Sequence, residues 1–184
     1  MPVNIINIPN ILTISRVVLI PFFLNFLVYG YTKLALITFV IAGLTDALDG
    51  TVARLTGTKS ELGATLDPLA DKLLALAAFV ALTILGRIPL WLTLTVVSRD
   101  VIIVSGSLVI YMLGYDLKIR PVLLGKLTTF VQLSLLVVTL VGLYLNRELM
   151  LTGYLVWLTL ALTVASGLQY IVRGFKIAGH RQAS

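Results

Sequence analysis

The sequence predicts an all-α integral membrane protein with six transmembrane helices and both termini in the cytoplasm. Of its 184 residues, 59% are hydrophobic and only 12% are charged, and the mean hydropathy of +1.04 is far above that of soluble globular domains. Long runs without charge divide the chain, and Lys and Arg are concentrated between alternate runs. Because no repeat or linker interrupts this pattern, residues 1–184 are interpreted as a single membrane domain.

Six segments are long enough to span a bilayer, which takes about 20 mostly apolar residues. Joining neighbouring charge-free runs across isolated charges places them at 8–30, 34–56, 67–86, 88–114, 122–145 and 149–173. Gly30 and Gly86 end the first and third segments, as is typical of helix termini. Pro89 and Pro121 precede the bodies of the fourth and fifth. Pro21 lies inside the first segment, where a proline kinks a helix.

The positive charges predict the orientation, because short cytoplasmic loops are enriched in Lys and Arg. One side of the predicted bundle holds nine of them: Arg54, Lys59, Lys72, Lys118, Arg120, Lys126, Arg173, Lys176 and Arg181. The other side holds three: Lys33, Arg87 and Arg147. The net charge of +6 is scattered between apolar runs, which indicates contact with anionic lipid and no nucleic-acid partner. The absence of cysteine excludes disulfides and thiolate metal sites.

Four of the six aspartates lie within 26 positions, around the predicted turn between the second and third helices. They are Asp46, Asp49, Asp67 and Asp71. The first two are spaced i, i+3 and the last two i, i+4, so each pair shares one face of its helix. Residues 57–65 are predicted to form a cytoplasmic turn, with Asp67 and Pro68 as the N-cap and first residue of the third helix. This hairpin would bring all four carboxylates together.

Four ionised carboxylates need a cation or protons to share one site. Like charges about 4 Å apart repel by roughly 4 kcal/mol at an effective dielectric constant near 20, and anions near a helix C-terminus are further disfavoured by its dipole. Oxygen ligands without His or Cys favour a hard ion, Mg²⁺ or Mn²⁺, singly or as a pair. The alternative is that Arg54, Lys59 and Lys72 neutralise the aspartates as structural ion pairs.

Small residues lie beside the aspartates and would let a phosphorylated ligand approach the backbone closely. These residues are Gly50, Ala53 and Gly63, of which the two glycines lack a side chain. Arg54 adds a guanidinium suited to bidentate phosphate contact. Each small residue alone is explained by helix packing, but together with four carboxylates they indicate a ligand site.

The motif Asp46-x2-Asp49-Gly50-x2-Ala53-Arg54-x8-Gly63-x3-Asp67-x3-Asp71 resembles the complete signature of the CDP-alcohol phosphotransferases. The opening Asn10-x2-Thr13-x2-Arg16 resembles that of the bacterial members. The resemblance implies an enzyme of phospholipid synthesis that transfers a phosphatidyl group from CDP-diacylglycerol to an alcohol and releases CMP. It also implies a homodimer, placed in the bacterial cytoplasmic membrane with its active site on the cytoplasmic side.

The same resemblance implies a role for each residue of the motif. Asp46, Asp49, Asp67 and Asp71 would bind two Mg²⁺ or Mn²⁺ ions, and Asp71 would also be the catalytic base. The CDP-lipid would contact Gly50, Ala53, Arg54, Gly63, Asn10 and Thr13, and Arg16 would reach the acceptor. Because a metal-bound carboxylate is a weak base, Asp71 needs the alcohol to be acidified by the metal or the transition state.

The acceptor is predicted from further basic residues on the cytoplasmic side. Arg99, Lys118, Arg120 and Lys126 suggest a pocket for a phosphorylated alcohol. A structural ion pair between Arg99 and Asp100, and the general cytoplasmic excess of positive charge, are the alternatives.

The resemblance leaves two acceptors open, each used by a different group of the family. The segments NIPNILTISRVVLIPFF and LLGKLTT resemble phosphatidylglycerophosphate synthases, which use glycerol 3-phosphate. SRDVIIVSG and AGLTDALDG resemble cardiolipin synthases, which use phosphatidylglycerol. Glycerol 3-phosphate is placed first, phosphatidylglycerol second, and inositol phosphate and serine behind both. A transporter for divalent cations or protons is the remote alternative, disfavoured because the carboxylates lie beside a turn and no repeated halves are present.

Overall fold

The computed structural model describes residues 8–56, 61–112 and 123–179, with side chains at 15, 17–45, 72–106, 112 and 123–172. Within these residues the chain is all-α. Its helices are α1 Ile8–Val28, α2 Thr32–Thr56, α3 Glu61–Ile84, α4 Leu90–Met112, α5 Leu123–Tyr144 and α6 Met150–Gly179. The six predicted helical segments are therefore confirmed, and the ends of most lie within two residues of the predicted ends. Pro121 lies outside the described residues.

Helix α3 begins at Glu61, six residues before the predicted start at Asp67. The prediction that 57–65 forms a turn is wrong for 61–65, and Asp67 and Pro68 lie inside the helix instead of capping it. An acidic residue in the first turn interacts favourably with the helix dipole, and Ser60 is a residue type that often precedes such a start. These signals, with the leucines and alanine that follow, outweigh the single missing amide hydrogen of Pro68.

Helix α6 is longer than its charge-free run and continues to Gly179, past the predicted end at 173. The prediction ended the helix at Arg173 because the apolar run ends there. Basic residues in the last turns of a helix are favoured by its dipole, so Arg173 and Lys176 extend α6.

Three short turns connect α1 to α2, α3 to α4 and α5 to α6, and they share one backbone motif. Gly30, Gly86 and Asn146 each follow a helix with a positive φ, of 77°, 69° and 50°. The amide of each donates to the carbonyl three residues earlier, and the next amide donates five residues back. This is the Schellman arrangement, in which a residue in the left-handed region satisfies the last carbonyls of a helix.

Helices α1, α2 and α3, with the last part of α5 from Leu136, form one compact unit. Helix α1 packs against both α2 and α3, and α2 also contacts α3. The rings of Phe23 on α1 and Phe39 on α2 lie 5.5 Å apart between centroids and are buried. Ala35 and Ala42 are fully buried about two turns apart on the same face of α2, which lets the neighbouring helices approach closely.

Helix α4, the first part of α5 up to Leu135, and α6 form the second compact unit. Helix α4 packs against α6, and near the start of both helices the indoles of Trp91 and Trp157 lie 5.6 Å apart. Leu92 and Leu135 contribute fully buried apolar side chains. The buried face of α6 is polar, however, with Thr159, Thr163 and Ser166 all at 0% exposure.

Among the described residues, two helical stretches are long and apolar enough to cross a membrane: Leu123–Tyr144 and Met150–Val172. Shorter apolar stretches lie in α1, α2 and α3, at Val17–Val28, Thr32–Thr45 and Lys72–Ile84. Large apolar side chains such as Phe130 and Trp157 are about two-thirds exposed, as expected where hydrocarbon surrounds the helices. These findings support a membrane protein. The number of spans, the orientation and the single domain stay predictions.

We predict that Gly86→Ala lowers the thermal midpoint of the detergent-solubilised protein by roughly 2–4 °C, equivalent to about 1 kcal/mol. No described atom lies within 4 Å of the position its Cβ would take, so the loss comes from the left-handed backbone alone. Gly153, inside α6, has the same open surroundings with ordinary helical geometry. Gly153→Ala should therefore leave the midpoint unchanged or raise it. Equal losses in both variants would contradict the prediction.

Candidate active site

The motif aspartates lie on two helices of the first unit that contact each other. Asp46 and Asp49 lie in the last half of α2, and Asp67 and Asp71 in the first half of α3. The helical backbone confirms that the members of each pair share a helix face, because spacings of three and four residues return to nearly the same direction. Their side chains lie outside the described set, so the meeting of the four carboxylates stays a prediction.

The residues predicted to bind the CDP-lipid lie on α1, α2 and α3. Gly50, Ala53 and Arg54 lie on α2, Gly63 on α3, and Asn10 and Thr13 on α1, together with the predicted acceptor residue Arg16. Helix α1 packs against both of the aspartate-bearing helices. The side chains of these residues also lie outside the described set. The backbone nevertheless brings to one three-helix group every residue that the motif and the opening segment single out.

Arg99 is the predicted acceptor residue whose surroundings the structure describes in most detail. It lies on α4, is only 8% exposed, and donates from Nη1 to Oδ1 of Asp100 over 2.8 Å. Its Nη2 donates to Oγ of Ser166 on α6, also over 2.8 Å. The Arg99–Asp100 ion pair, which is the structural alternative to an acceptor-binding role, is therefore present, and the acceptor-binding role of Arg99 stays a prediction. The remaining donor atom, Nε, is buried and has no hydrogen-bond partner among the described residues.

Three further residues shape the pocket around the Arg99 guanidinium. The Cζ atom lies 5.9 Å from the centroid of the Tyr170 ring on α6, within the range of a cation–π contact. A Cβ added at Gly125 on α5 would lie 3.5 Å from Nη2 and 3.6 Å from the Tyr170 hydroxyl. One added at Gly167 would lie 3.7 Å from Cγ of Arg99. An added Cβ at either position would make ordinary van der Waals contact, so both glycines lie directly beside the arginine.

Further hydrogen bonds join polar groups of α5 and α6 at positions beyond those that contact Arg99. Gln132 donates from Nε2 to the Thr163 hydroxyl over 3.1 Å. The Thr128 hydroxyl lies 2.8 Å from the Leu124 carbonyl of its own helix and 3.2 Å from the Leu162 carbonyl of α6. All of these side chains are buried, and polar groups in an apolar bundle are stabilised when they bond to one another across helices.

The other predicted acceptor residues are described less fully. Lys126 is exposed near the start of α5, and its backbone lies one residue from Gly125. Lys118 and Arg120 lie outside the described residues. Sequence reasoning missed Ser166, Tyr170 and Gly125. The available signal was the Ser166-x3-Tyr170 spacing in an otherwise apolar stretch of α6, which is too common in membrane helices to identify a site by itself.

Comparisons with known proteins point to one family. A model of the CDP-alcohol phosphatidyltransferase family matches residues 6–165. A probable phosphatidylglycerophosphate synthase of Mycobacterium tuberculosis is 35% identical, over 98% of this chain and 88% of that protein. The CDP-diacylglycerol--glycerol-3-phosphate 3-phosphatidyltransferase of Aquifex aeolicus is 32% identical, over 93% and 97%. The human cardiolipin synthase (CMP-forming) is 33% identical, over 87% of this chain and 58% of that protein.

We predict that the purified protein binds Mn²⁺ and that Asp46→Asn, Asp49→Asn, Asp67→Asn and Asp71→Asn each weaken this binding by roughly tenfold or more. Mutation of a residue that only orients a metal ligand weakens metal binding by roughly tenfold to a hundredfold, and loss of the ligand itself should weaken it at least as much. Each change also removes repulsion, so thermal stability without metal should be unchanged or higher.

Titration of Mn²⁺ by electron paramagnetic resonance measures the affinity in each variant. Glu148→Gln is the control, because Glu148 is an exposed acidic residue in the turn between α5 and α6. An aspartate variant with the affinity of the unaltered protein would be removed from the predicted ligand set.

Proposed function

The chain belongs to the CDP-alcohol phosphatidyltransferase family, and from this premise we propose that it transfers a phosphatidyl group from CDP-diacylglycerol to glycerol 3-phosphate. Membership makes it an enzyme of phospholipid synthesis. The observation that carries the proposal is the complete aspartate motif on the contacting helices α2 and α3. The transporter alternative is not retained, because relatives named as phosphatidyltransferases match nearly the whole chain.

The choice of glycerol 3-phosphate rests on two observations. The relatives from M. tuberculosis and A. aeolicus are named for the synthesis of phosphatidylglycerophosphate or for glycerol 3-phosphate, and the match extends over most of both proteins. The Arg99 guanidinium is also buried, with a donor at Nε that has no partner among the described residues. An unpaired buried donor on a cation is costly, and an oxygen of a phosphorylated acceptor would satisfy it.

Cardiolipin synthesis is the second candidate. Human and Drosophila relatives named as cardiolipin synthases are 33% and 36% identical to the chain, and the segment around Arg99 and Asp100 resembles that group. The acceptor would then be phosphatidylglycerol, whose phosphate is a diester. The Asp100 carboxylate already compensates part of the charge of Arg99, and this suits an acceptor with one negative charge as well as one with two.

The proposed reaction is a substitution at the phosphorus that carries diacylglycerol. The acceptor hydroxyl forms the new P–O bond, the P–O bond to CMP breaks, and CMP leaves with that electron pair. Asp71 takes the proton of the hydroxyl. The four aspartates would hold Mg²⁺ or Mn²⁺, which when bound would offset the negative charge on the diphosphate. Gly50, Ala53 and Gly63 admit the cytidine, Arg54 contacts the diphosphate, and Asn10 and Thr13 flank the donor.

The proposed placement is a bacterial cytoplasmic membrane crossed six times, with the aspartates on the cytoplasmic side and the chain paired as a homodimer. The distribution of Lys and Arg supports this orientation, nine against three. Arg87 and Arg147 lie in two of the three short Schellman turns, and Lys33 lies at the start of α2, directly after the third. Such turns suit the side of the membrane with fewer Lys and Arg residues, because their backbone groups hydrogen-bond to one another and few of them need water.

We predict that excess EDTA abolishes CMP release from CDP-diacylglycerol and that added Mg²⁺ or Mn²⁺ restores it. The physical reason is that four ionised carboxylates are electrostatically unstable together without a cation. Release of CMP is measured by chromatography, with elemental analysis of the chelated protein. Undiminished turnover in protein free of tightly bound metal would contradict the metal-dependent mechanism.

We predict further that Arg99→Met, Lys118→Gln, Arg120→Gln and Lys126→Gln each raise the KM for glycerol 3-phosphate roughly tenfold to a hundredfold. This range corresponds to loss of a charge-assisted contact of about 1.5–3 kcal/mol. The KM for CDP-diacylglycerol should change little, and free glycerol should be a poor substrate. Arg87→Gln is the control, since Arg87 is an exposed cation in the α3–α4 turn.

The two acceptors are distinguished by supplying radiolabelled glycerol 3-phosphate and phosphatidylglycerol separately. Label that enters the lipid fraction supports the first choice. Exclusion of glycerol 3-phosphate, together with efficient conversion of phosphatidylglycerol, would replace it with cardiolipin synthesis.

A further inference from the structure

The guanidinium of Arg99 is held from two helices at two different nitrogens. Asp100, its neighbour on α4, accepts from Nη1, and Ser166 on α6 accepts from Nη2, each over 2.8 Å. One hydrogen bond leaves a guanidinium free to swing about the bonded atom. Two bonds from different helices fix the plane of the group and therefore the direction in which Nε points.

Ser166 is placed for this contact by the buried face of α6. Thr159, Thr163, Ser166 and Tyr170 follow one another at spacings of four, three and four residues, which keeps them on one side of a helix. Ser166 is fully buried, so its hydroxyl has no access to solvent as an alternative partner. A Cβ added at Gly167, next in the chain, would lie 3.7 Å from Cγ of Arg99, so the arginine stem lies close to α6.

Tyr170 lies one turn after Ser166 and restricts the movement of the guanidinium from a different direction. Its ring centroid is 5.9 Å from Cζ, and its hydroxyl borders the space beside Gly125. An arginine side chain loses up to about 2 kcal/mol of rotamer entropy when it is immobilised. Here that loss occurs on folding, because the contacts are already formed within the protein, and it is not incurred again when a ligand binds.

We propose that Ser166 and Tyr170 are positioning residues that orient Arg99 toward the phosphate of the acceptor, so that α6 sets the strength of acceptor recognition. The inference rests on the proposed role of Arg99 in acceptor binding. Neither residue contacts the acceptor. They act on the apparent affinity for it by keeping the guanidinium in its binding orientation.

The test is steady-state kinetics of the full-length enzyme in mixed micelles, with CMP release as the readout and the preferred acceptor as the varied substrate. Ser166→Ala should raise the acceptor KM about threefold to tenfold, the effect expected for one internal hydrogen bond. The kcat and the KM for CDP-diacylglycerol should stay within about twofold of the unaltered values. Ser166→Cys, which keeps the size of the side chain with a weaker acceptor, should also raise the acceptor KM.

Tyr170 offers an internal comparison between its ring and its hydroxyl. Tyr170→Phe keeps the aromatic face beside Cζ and should keep the acceptor KM within about twofold. Tyr170→Leu removes the face and should raise the KM about threefold. A larger effect of Tyr170→Phe than of Tyr170→Leu would overturn the assignment of Tyr170.

Matched controls separate positioning from loss of helix packing. Thr163→Val removes a fully buried hydroxyl one turn earlier on the same face of α6 and breaks its bond to Gln132. Ser134→Ala removes a hydroxyl of α5 that bonds the Phe130 carbonyl of its own helix. Neither change should shift the acceptor KM. If Thr163→Val raises it as much as Ser166→Ala does, the effect is one of packing and the proposal fails.

A double-mutant cycle with Arg99→Met decides whether Ser166 acts through the guanidinium. In that background Ser166→Ala should change the acceptor KM by less than twofold, because the group it orients is absent. The same rise in both backgrounds would overturn the inference. A rise with Arg99→Met but none with either Ser166 variant would overturn it while leaving the acceptor role of Arg99 in place. An unchanged KM in Arg99→Met would overturn that role and the inference together.

Discussion

The need to satisfy backbone hydrogen bonds without water governs this chain. With 59% hydrophobic residues and large apolar side chains exposed along its helices, it leaves few places where a free amide or carbonyl is tolerated. Regular helix satisfies nearly all of these groups, and the Schellman turns at Gly30, Gly86 and Asn146 satisfy the carbonyls at three helix ends. The three turns therefore contain only a few residues of irregular backbone each. This is why the charge-free runs predict the helices so closely.

The same constraint makes each buried polar side chain informative. Arg99 is accommodated because Asp100 and Ser166 accept hydrogen bonds from its guanidinium. Threonine and glutamine side chains on α5 and α6 bond to one another or to carbonyl oxygens. Such bonds add about 0.6 kcal/mol each on average in membrane proteins, too little to explain a buried cation as a stabilising device. The proposed phosphorylated acceptor would give the guanidinium a further partner at Nε.

The sequence predicts the helices well, and the interior contacts poorly, for different physical reasons. Helix ends marked by Gly30 and Gly86 are determined locally, by a residue that enters the left-handed region without strain. The start of α3 was misplaced because Asp67-Pro68 has the local form of a helix start, while the actual start depends on the preceding Glu61 and its neighbours. Asn146 could not be distinguished from any other polar turn residue. The contact between Arg99 and Ser166 joins positions 67 residues apart, and no local pattern encodes which serine of an apolar helix will meet a given arginine.

The proposed chemistry also has two parts, one predicted by a local sequence motif and one that depends on contacts between helices. The motif that identifies the family lies on α2 and α3, in helices that pack with α1, and it concerns the step shared by all the reactions considered, departure of CMP. The residues proposed for the acceptor lie on α4, α5 and the segment before α5, with Arg16 on α1 as the exception, and the groups that orient Arg99 come from α6. Relatives named for two different acceptors match the chain at similar identity. The donor chemistry is therefore proposed from a short motif, whereas the proposed acceptor contacts depend on distant helices. On this proposal, changes around Arg99, such as at Ser166, would alter how strongly the acceptor phosphate is held and would leave the aspartates unchanged.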